Sequence, residues 1–229
     1  MNIFEPFTRA LGQAVDPIAR LAQRLRIGPN AITTTGLVVM LAAATAFAGG
    51  AVRWGGALVL VAALFDVLDG QVARLAGRTS TFGAFYDATM DRAGEAALCA
   101  GVALFFLRGG VAPGRVTFAV MAAIAALAAT LIASYARARA EGLGVEARVG
   151  IPTPAARLLA LGAPPLAVDT GPGGAWLVWM VVAFAVVTAA TAVQRVIYVG
   201  RVADGGRPGR TAARRDTLPG RAPALRKGP

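Results

Sequence analysis

From Ala31 to Gly49 the chain carries no charged side chain, and a helix of that length, rising about 1.5 Å per residue, crosses the roughly 30 Å hydrocarbon core of a bilayer. Comparable apolar runs follow at about 55–75, 82–107, 114–136, 154–168 and 174–199. They are separated by breaks such as Arg108-Gly109-Gly110 and Gly171-Pro172-Gly173-Gly174. This reads as an all-α integral membrane protein with six transmembrane helices, or five if the short 154–168 run only extends a neighbour. Composition agrees: 56% hydrophobic against 15% charged is too apolar for an ordinary soluble domain, and 28 glycines suit helices packed closely in lipid. With no histidine and one cysteine, Cys99, the chain has no His general base, no His-ligated zinc, no Ser-His-Asp triad and no internal disulfide.

Residues 1–27 do not read as a cleavable signal. Ile3, Phe4, Phe7, Leu11, Ala14, Ile18, Leu21 and Leu25 recur every three or four residues with arginines largely between them, the pattern of an amphipathic interfacial helix. Most of the 23 basic residues fall in this segment, in the 74–81 and 137–157 loops, and after Arg195. The positive-inside rule then places both termini in the cytoplasm of a multi-pass inner or cell membrane protein. The net charge of +11 is assigned to contact with anionic membrane lipids, and no nucleic-acid partner is expected. Three parts result: the interfacial helix 1–27, a membrane domain 28–200, and a basic tail 201–229 too poor in apolar residues to fold.

Asp66, Asp69, Asp87, Asp91 and Glu95 supply five of the 12 acidic residues within one 30-residue window of membrane helix. Each carboxylate there costs roughly 2.5–3.5 kcal/mol even on the lenient insertion scale, so cations must compensate them. Asp66 and Asp69 stand i,i+3 at the end of the second span, and Asp87 and Asp91 stand i,i+4 at the start of the third, so each pair shares a helical face. A short loop turns the two faces toward each other. Up to eight carboxylate oxygens then meet in a small volume, which like-charge repulsion forbids unless divalent ions occupy it; oxygen donors alone select Mg²⁺ or Mn²⁺. The competing reading pairs the aspartates with Arg74, Arg78 and Arg92, which leaves the spacing unexplained. Gly70 and Gly83 lie one turn from Asp66 and Asp87, letting backbone approach a bulky ligand, and Arg74 offers a bidentate guanidinium to a phosphate.

The run Asp66-Val67-Leu68-Asp69-Gly70-Gln71-Val72-Ala73-Arg74, followed by Gly83, Asp87 and Asp91, resembles the signature of the CDP-alcohol phosphotransferase family at all eight specified residues. The likeness extends over about residues 28 to 199, including Pro29-Asn30-Ala31-Ile32-Thr33. It implies six transmembrane helices around a polar cavity open to the cytoplasm, assembled as a homodimer. It further implies two metal ions on Asp66, Asp69, Asp87 and Asp91, with Asp91 also the general base. A polar alcohol acceptor would attack the lipid-bearing phosphorus of CDP-diacylglycerol and release CMP, a step in phospholipid biosynthesis. Gly70, Arg74, Ser80 and Gly83 would hold the diphosphate end of the CDP-lipid, and Asn30, Ala31, Ile32 and Thr33 would line the cytidine.

For the acceptor, the segment Ser134-Tyr135-Ala136-Arg137-Ala138-Arg139-Ala140-Glu141 and Gln194-Arg195 look like the phosphatidylinositol phosphate synthase branch, which implies that Arg137 and Arg195 hold an acceptor phosphate. The chain departs from that branch in the stretch Ile151-Pro152-Thr153-Pro154-Ala155-Ala156-Arg157, where an arginine is missing before the proline; Arg157 is the candidate replacement. Inositol phosphate and glycerol 3-phosphate both remain open as acceptors. A divalent-cation transporter is the rival of a different class, since intramembrane carboxylates also mark ion pathways. The apolar stretch Leu98 to Phe106 beyond Glu95 argues for a site open on one side only.

Overall fold

The computed structural model describes residues 5–75, 77, 80–147 and 154–205, and among these every regular element is helical. Seven α-helices follow one another: α1 (Glu5–Arg24), α2 (Pro29–Ala48), α3 (Val52–Leu75), α4 (Thr81–Phe105), α5 (Val116–Gly142), α6 (Pro154–Val168) and α7 (Ala175–Gly205). Their ends are written locally. Pro29 occupies the first turn of α2, where its missing N–H costs nothing, and Gly28 before it is extended. The side chain of Ser80 caps α4 by accepting from the Gly83 amide at 2.9 Å. Beyond α4, a π-helical turn over Phe106–Gly110 ends at Gly109 with φ of 93°, a left-handed conformation suited to glycine.

Among the described residues, five helices are long and apolar enough to cross a membrane: α2, α3, α4 with its π-helical extension, α5, and α7. The chain is therefore built as a multi-pass membrane protein. α6, at 15 residues, is about 22 Å long and falls short of that measure. α2 packs against α3 and α4, α6 and α1 pack on α3, and α5 packs against α7 and α4. The main core gathers Phe47, Val59, Leu98, Phe106 and Leu177 around alanines such as Ala43, Ala119, Ala123 and Ala126. Alanine and glycine let these backbones close on each other, as dispersion-driven packing in lipid requires.

The first helix divides its apolar residues in a way the periodicity does not reveal. Ala19 and Ala22 are buried in a small cluster with Ile32 and Val72, whereas Ile18, Leu21 and Leu25 are exposed. Small side chains thus face the bundle and bulky ones face outward. The last helix continues to Gly205, past the end read from hydropathy, and residues 206–229 of the basic tail lie outside the described residues.

Loops at the end of the bundle away from the acidic residues are tied by polar contacts. Arg53 pairs with Asp169 at 3.5 Å, Arg108 donates to the Ala48 carbonyl at 3.0 Å, and the Ala112 amide donates to Gly173 at 3.4 Å. Arg53 and Arg108 are thereby engaged with neighbouring elements of the chain.

Candidate functional site

α3 delivers Asp66 and Asp69 from its last turns, and α4 delivers Asp87 and Asp91 from its first. The two helices meet across α2, so the carboxylates converge with Thr33, Gly36 and Met40 of α2 and Leu158 of α6 on one cleft. Within it Asp66, Asp87 and Asp91 each bring an oxygen within 4.8 Å of the others. Asp87 Oδ1 is buried with no hydrogen-bond partner. A buried anionic oxygen without a donor is costly, and three carboxylates so close repel one another. A hard divalent cation removes both penalties, so the donor set fits Mg²⁺ or Mn²⁺.

Asp69 is placed differently from the other three. It is buried at 7% exposure, and its Oδ2 accepts a hydrogen bond from Thr33 Oγ1 at 2.7 Å, so α2 sets the direction of its carboxylate. It stands outside the tight group of three but lines the same cleft. Thr33 itself is buried, and its hydroxyl also lies 3.2 Å from the Pro29 carbonyl.

A second groove adjoins the first, lined by Pro29, Asn30, Gly70, Ala73, Ser80, Gly83 and Ala84, and it shares Thr33, Asp69 and Asp87 with the acidic cleft. Gly83 makes the groove possible. A Cβ at that position would lie 3.0 Å from Ser80 Oγ and 3.6 Å from Asn30 Oδ1, filling the space between them. Arg74 folds back over the bare Gly70 backbone, with Nη1 3.4 Å from where a Cβ would stand. At the rim, Thr34 and Tyr86 join α2 to α4 through a hydroxyl pair at 2.9 Å.

The residues singled out from sequence do not all gather here. Asn30 and Thr33 face the groove, but Ile32 does not: it is buried against Ala19, Ala22 and Val72, and Ala31 is exposed and absent from the groove lining. Successive helical residues are turned by about 100°, so four consecutive positions cannot share one face. Arg137 is half-exposed and pairs with Glu141 at 2.9 Å on its own helix. Arg195 reaches from α7 to α5, donating to the Ala133 carbonyl at 2.6 Å. Arg157 lies in α6, and its side chain, like Arg78, is outside the described residues.

Arg92 is the residue that spacing alone undervalues. Its guanidinium is bound to Glu95, donates to Ser134 Oγ on α5 at 2.6 Å, and stands 3.7 Å from Asp91. An arginine one position after an aspartate reads from sequence as one more counter-ion. Only the packing of α4 on α5 reveals that it reaches another helix.

Three comparisons with known proteins bear on this site. A family model described as CDP-alcohol phosphatidyltransferase matches residues 26–200. The chain is 36% identical over 210 residues to a phosphatidylinositol phosphate synthase of Cutibacterium acnes, covering 88% of this chain and all of that one. It is also 36% identical over 205 residues to an archaetidylinositol phosphate synthase of Methanothermobacter thermautotrophicus, covering 87% and 93%. Among solved structures, the phosphatidylinositol phosphate synthase of Mycobacterium tuberculosis with CDP-DAG bound superposes with a TM-score of 0.71 at 30% identity, covering 82% of this chain and 94% of that one. The same enzyme has also been solved in complex with manganese and citrate, again with a TM-score of 0.71.

Proposed function

The chain belongs to the CDP-alcohol phosphatidyltransferase family, and from that premise we propose that it transfers the phosphatidyl group of CDP-diacylglycerol to inositol phosphate, releasing CMP. The observation that carries the reading is the pair of adjoining spaces that share Thr33, Asp69 and Asp87. A nucleotide seated between Asn30, Ser80 and Gly83 has its diphosphate directed at the carboxylate cluster, and Arg74 lies over Gly70 at the same edge. Asp66, Asp69, Asp87 and Asp91 would hold two divalent ions, Mg²⁺ or Mn²⁺. Bound there, the ions supply neutralisation of the diphosphate and of the charge that develops on the departing phosphate.

Asp91 takes the proton from the acceptor hydroxyl. The hydroxyl oxygen forms its bond to the lipid-bearing phosphorus as the bond to the CMP oxygen breaks, so no covalent enzyme intermediate is needed. Arg137 and Arg195 stand on the α5–α7 side, and Arg157 on α6, as the cations for an acceptor phosphate. What favours inositol phosphate is the naming of the relatives, which cover nearly the whole chain in both directions.

We extend the proposal to six crossings with the cleft facing the cytoplasm. Supporting a sixth is the chain path: α6 follows the acidic-side end of α5, and Asp169, just past its C-terminus, reaches Arg53 at the start of α3, at the opposite end. The cytoplasmic assignment rests on the arginine bias toward the acidic side. α1 would lie in the interface with Ile18, Leu21 and Leu25 toward lipid, and the assembly would be a homodimer, checked by native mass spectrometry.

The test is lipid mass spectrometry on purified protein given CDP-diacylglycerol, Mg²⁺ or Mn²⁺, and inositol phosphate, glycerol 3-phosphate or free inositol. Phosphatidylinositol phosphate as the dominant product supports the reading. A phosphatidylglycerophosphate product, or CMP release that resists EDTA, overturns it.

A further inference from the structure

Arg92 does more than balance charge beside the acidic cleft. Its side chain is mostly buried, at 23% exposure, and Glu95, at 12%, pairs with it one turn further along α4. The same Nη1 donates to Ser134 on α5 at 2.6 Å, while Nη2 remains 3.7 Å from Asp91, beyond hydrogen-bond length. The Asp91 carboxylate is thus left to face the cleft. The neighbouring residue of α5, Ala133, offers its carbonyl to Arg195 of α7 at 2.6 Å. Two arginines from two helices therefore grip adjacent residues of α5, one turn before Arg137.

We propose that Arg92 is a positioning residue: braced by Glu95, it fixes α5 through Ser134 at the level of Asp91, and so sets the distance between α4, which bears Asp87 and Asp91, and the α5–α7 cations that take the acceptor. A planar guanidinium serves because it presents several donors in a fixed fork; an ammonium at the same place is a single mobile point of charge. The inference rests on the reading above that the α5–α7 side receives the acceptor. It predicts that disturbing Arg92 spoils acceptor use while sparing the metal site and the CDP-lipid groove.

The experiment compares Arg92→Lys, Ser134→Ala and the double variant, in full-length protein, for KM of each substrate and for Mn²⁺ affinity by electron paramagnetic resonance without substrates. Arg92→Lys and Ser134→Ala should each raise acceptor KM by about fivefold or more, with CDP-lipid KM and Mn²⁺ affinity within about twofold of wild type. Because the two residues act through one contact, the double variant should be no worse than the poorer single one, and Ser134→Thr, which keeps the hydroxyl, should restore acceptor KM. A parallel fall in Mn²⁺ affinity would place Arg92 in the charge balance of the metal site and overturn the proposal. So would losses that simply add in the double variant. If Arg195→Gln raises acceptor KM and Arg92→Lys leaves it unchanged, this inference fails while the acceptor reading stands; if neither moves it, both fail.

Discussion

The two halves of the helix bundle use the same small residues for opposite ends. In the half away from the acidic residues, Gly56 brings α3 so close to α6 that a Cβ would stand 2.6 Å from the Gly162 carbonyl and 2.7 Å from the Leu166 amide, and Gly101 of α4 is pressed against the Ala44 backbone. Around them Phe47, Leu98, Phe106 and Leu177 close the core. In the acidic half, Gly70 and Gly83 border open space, and one carboxylate oxygen of Asp87 is buried with nothing to accept from. One half spends its glycines on contact and supplies stability. The other keeps Gly70 and Gly83 for access, while Gly36 and Gly94 pack on Phe65 and Met40, and gives up stability to hold like charges together.

That contrast predicts opposite signatures for substitutions in the two halves. The largest effect is expected for Asp66→Asn, Asp87→Asn or Asp91→Asn: phosphatidyl transfer falls by about a thousandfold or more, a loss of roughly 4 kcal/mol of transition-state stabilisation. Thermal stability in detergent without metal stays level or rises, because each change removes one member of a repelling group. A marked drop in melting temperature would show that the carboxylates hold the bundle together and would break the comparison.

Gly56→Val should behave in reverse. Overpacking at the α3–α6 contact costs about 1–3 kcal/mol of stability, read as a lower unfolding temperature or loss of monodisperse protein, while turnover per folded molecule is unchanged. Finding normal stability with lost turnover would assign a catalytic part to the packed half.

Arg195→Gln probes the seam between the halves. Loss of a charge-assisted contact to an acceptor phosphate should raise acceptor KM about tenfold, leaving CDP-lipid KM close to wild type. Equal effects on both constants would mean that the arginine serves packing through the Ala133 carbonyl, as its contact in the free protein permits.

The smallest effect sharpens the comparison by crossing it. Ser80 caps α4 and borders the groove, so Ser80→Ala should cost about 1 kcal/mol of stability and raise CDP-lipid KM by only a few-fold. Ser80→Asp, which preserves the cap but adds charge beside a diphosphate, should recover the stability and not the KM; recovery of both would place the serine outside the substrate's reach.

Much of this molecule was decided along the chain. Uncharged runs of membrane length dictate helices, because lipid offers no partner for an unpaired backbone amide. The i,i+3 and i,i+4 aspartates dictate shared faces, because helical geometry is local and needs no knowledge of the rest of the fold. The short link after α3 dictates that those faces meet. Each of these follows from contacts within a few residues of sequence.

Tertiary structure decided whatever depends on rotation and approach. Periodicity placed Ile18, Leu21 and Leu25 on one apolar stripe but could not say that Ala19 and Ala22 would take the side toward α3, since that choice depends on how near another helix can come. The motif spans Asn30 to Thr33, but the angle of α2 against α3 turned Asn30 and Thr33 to the groove and Ile32 to α1. Asp69 reads from spacing as an equal of the other aspartates, and only the Thr33 hydroxyl, 36 positions away, sets it apart. Arg92 reads as a counter-ion until Ser134 is brought against it across 42 positions. Sequence determined which groups had to be buried together, because the bilayer penalises a lone charge; only packing determined which of them touch, because a hydrogen bond depends on tenths of an ångström that no local pattern encodes.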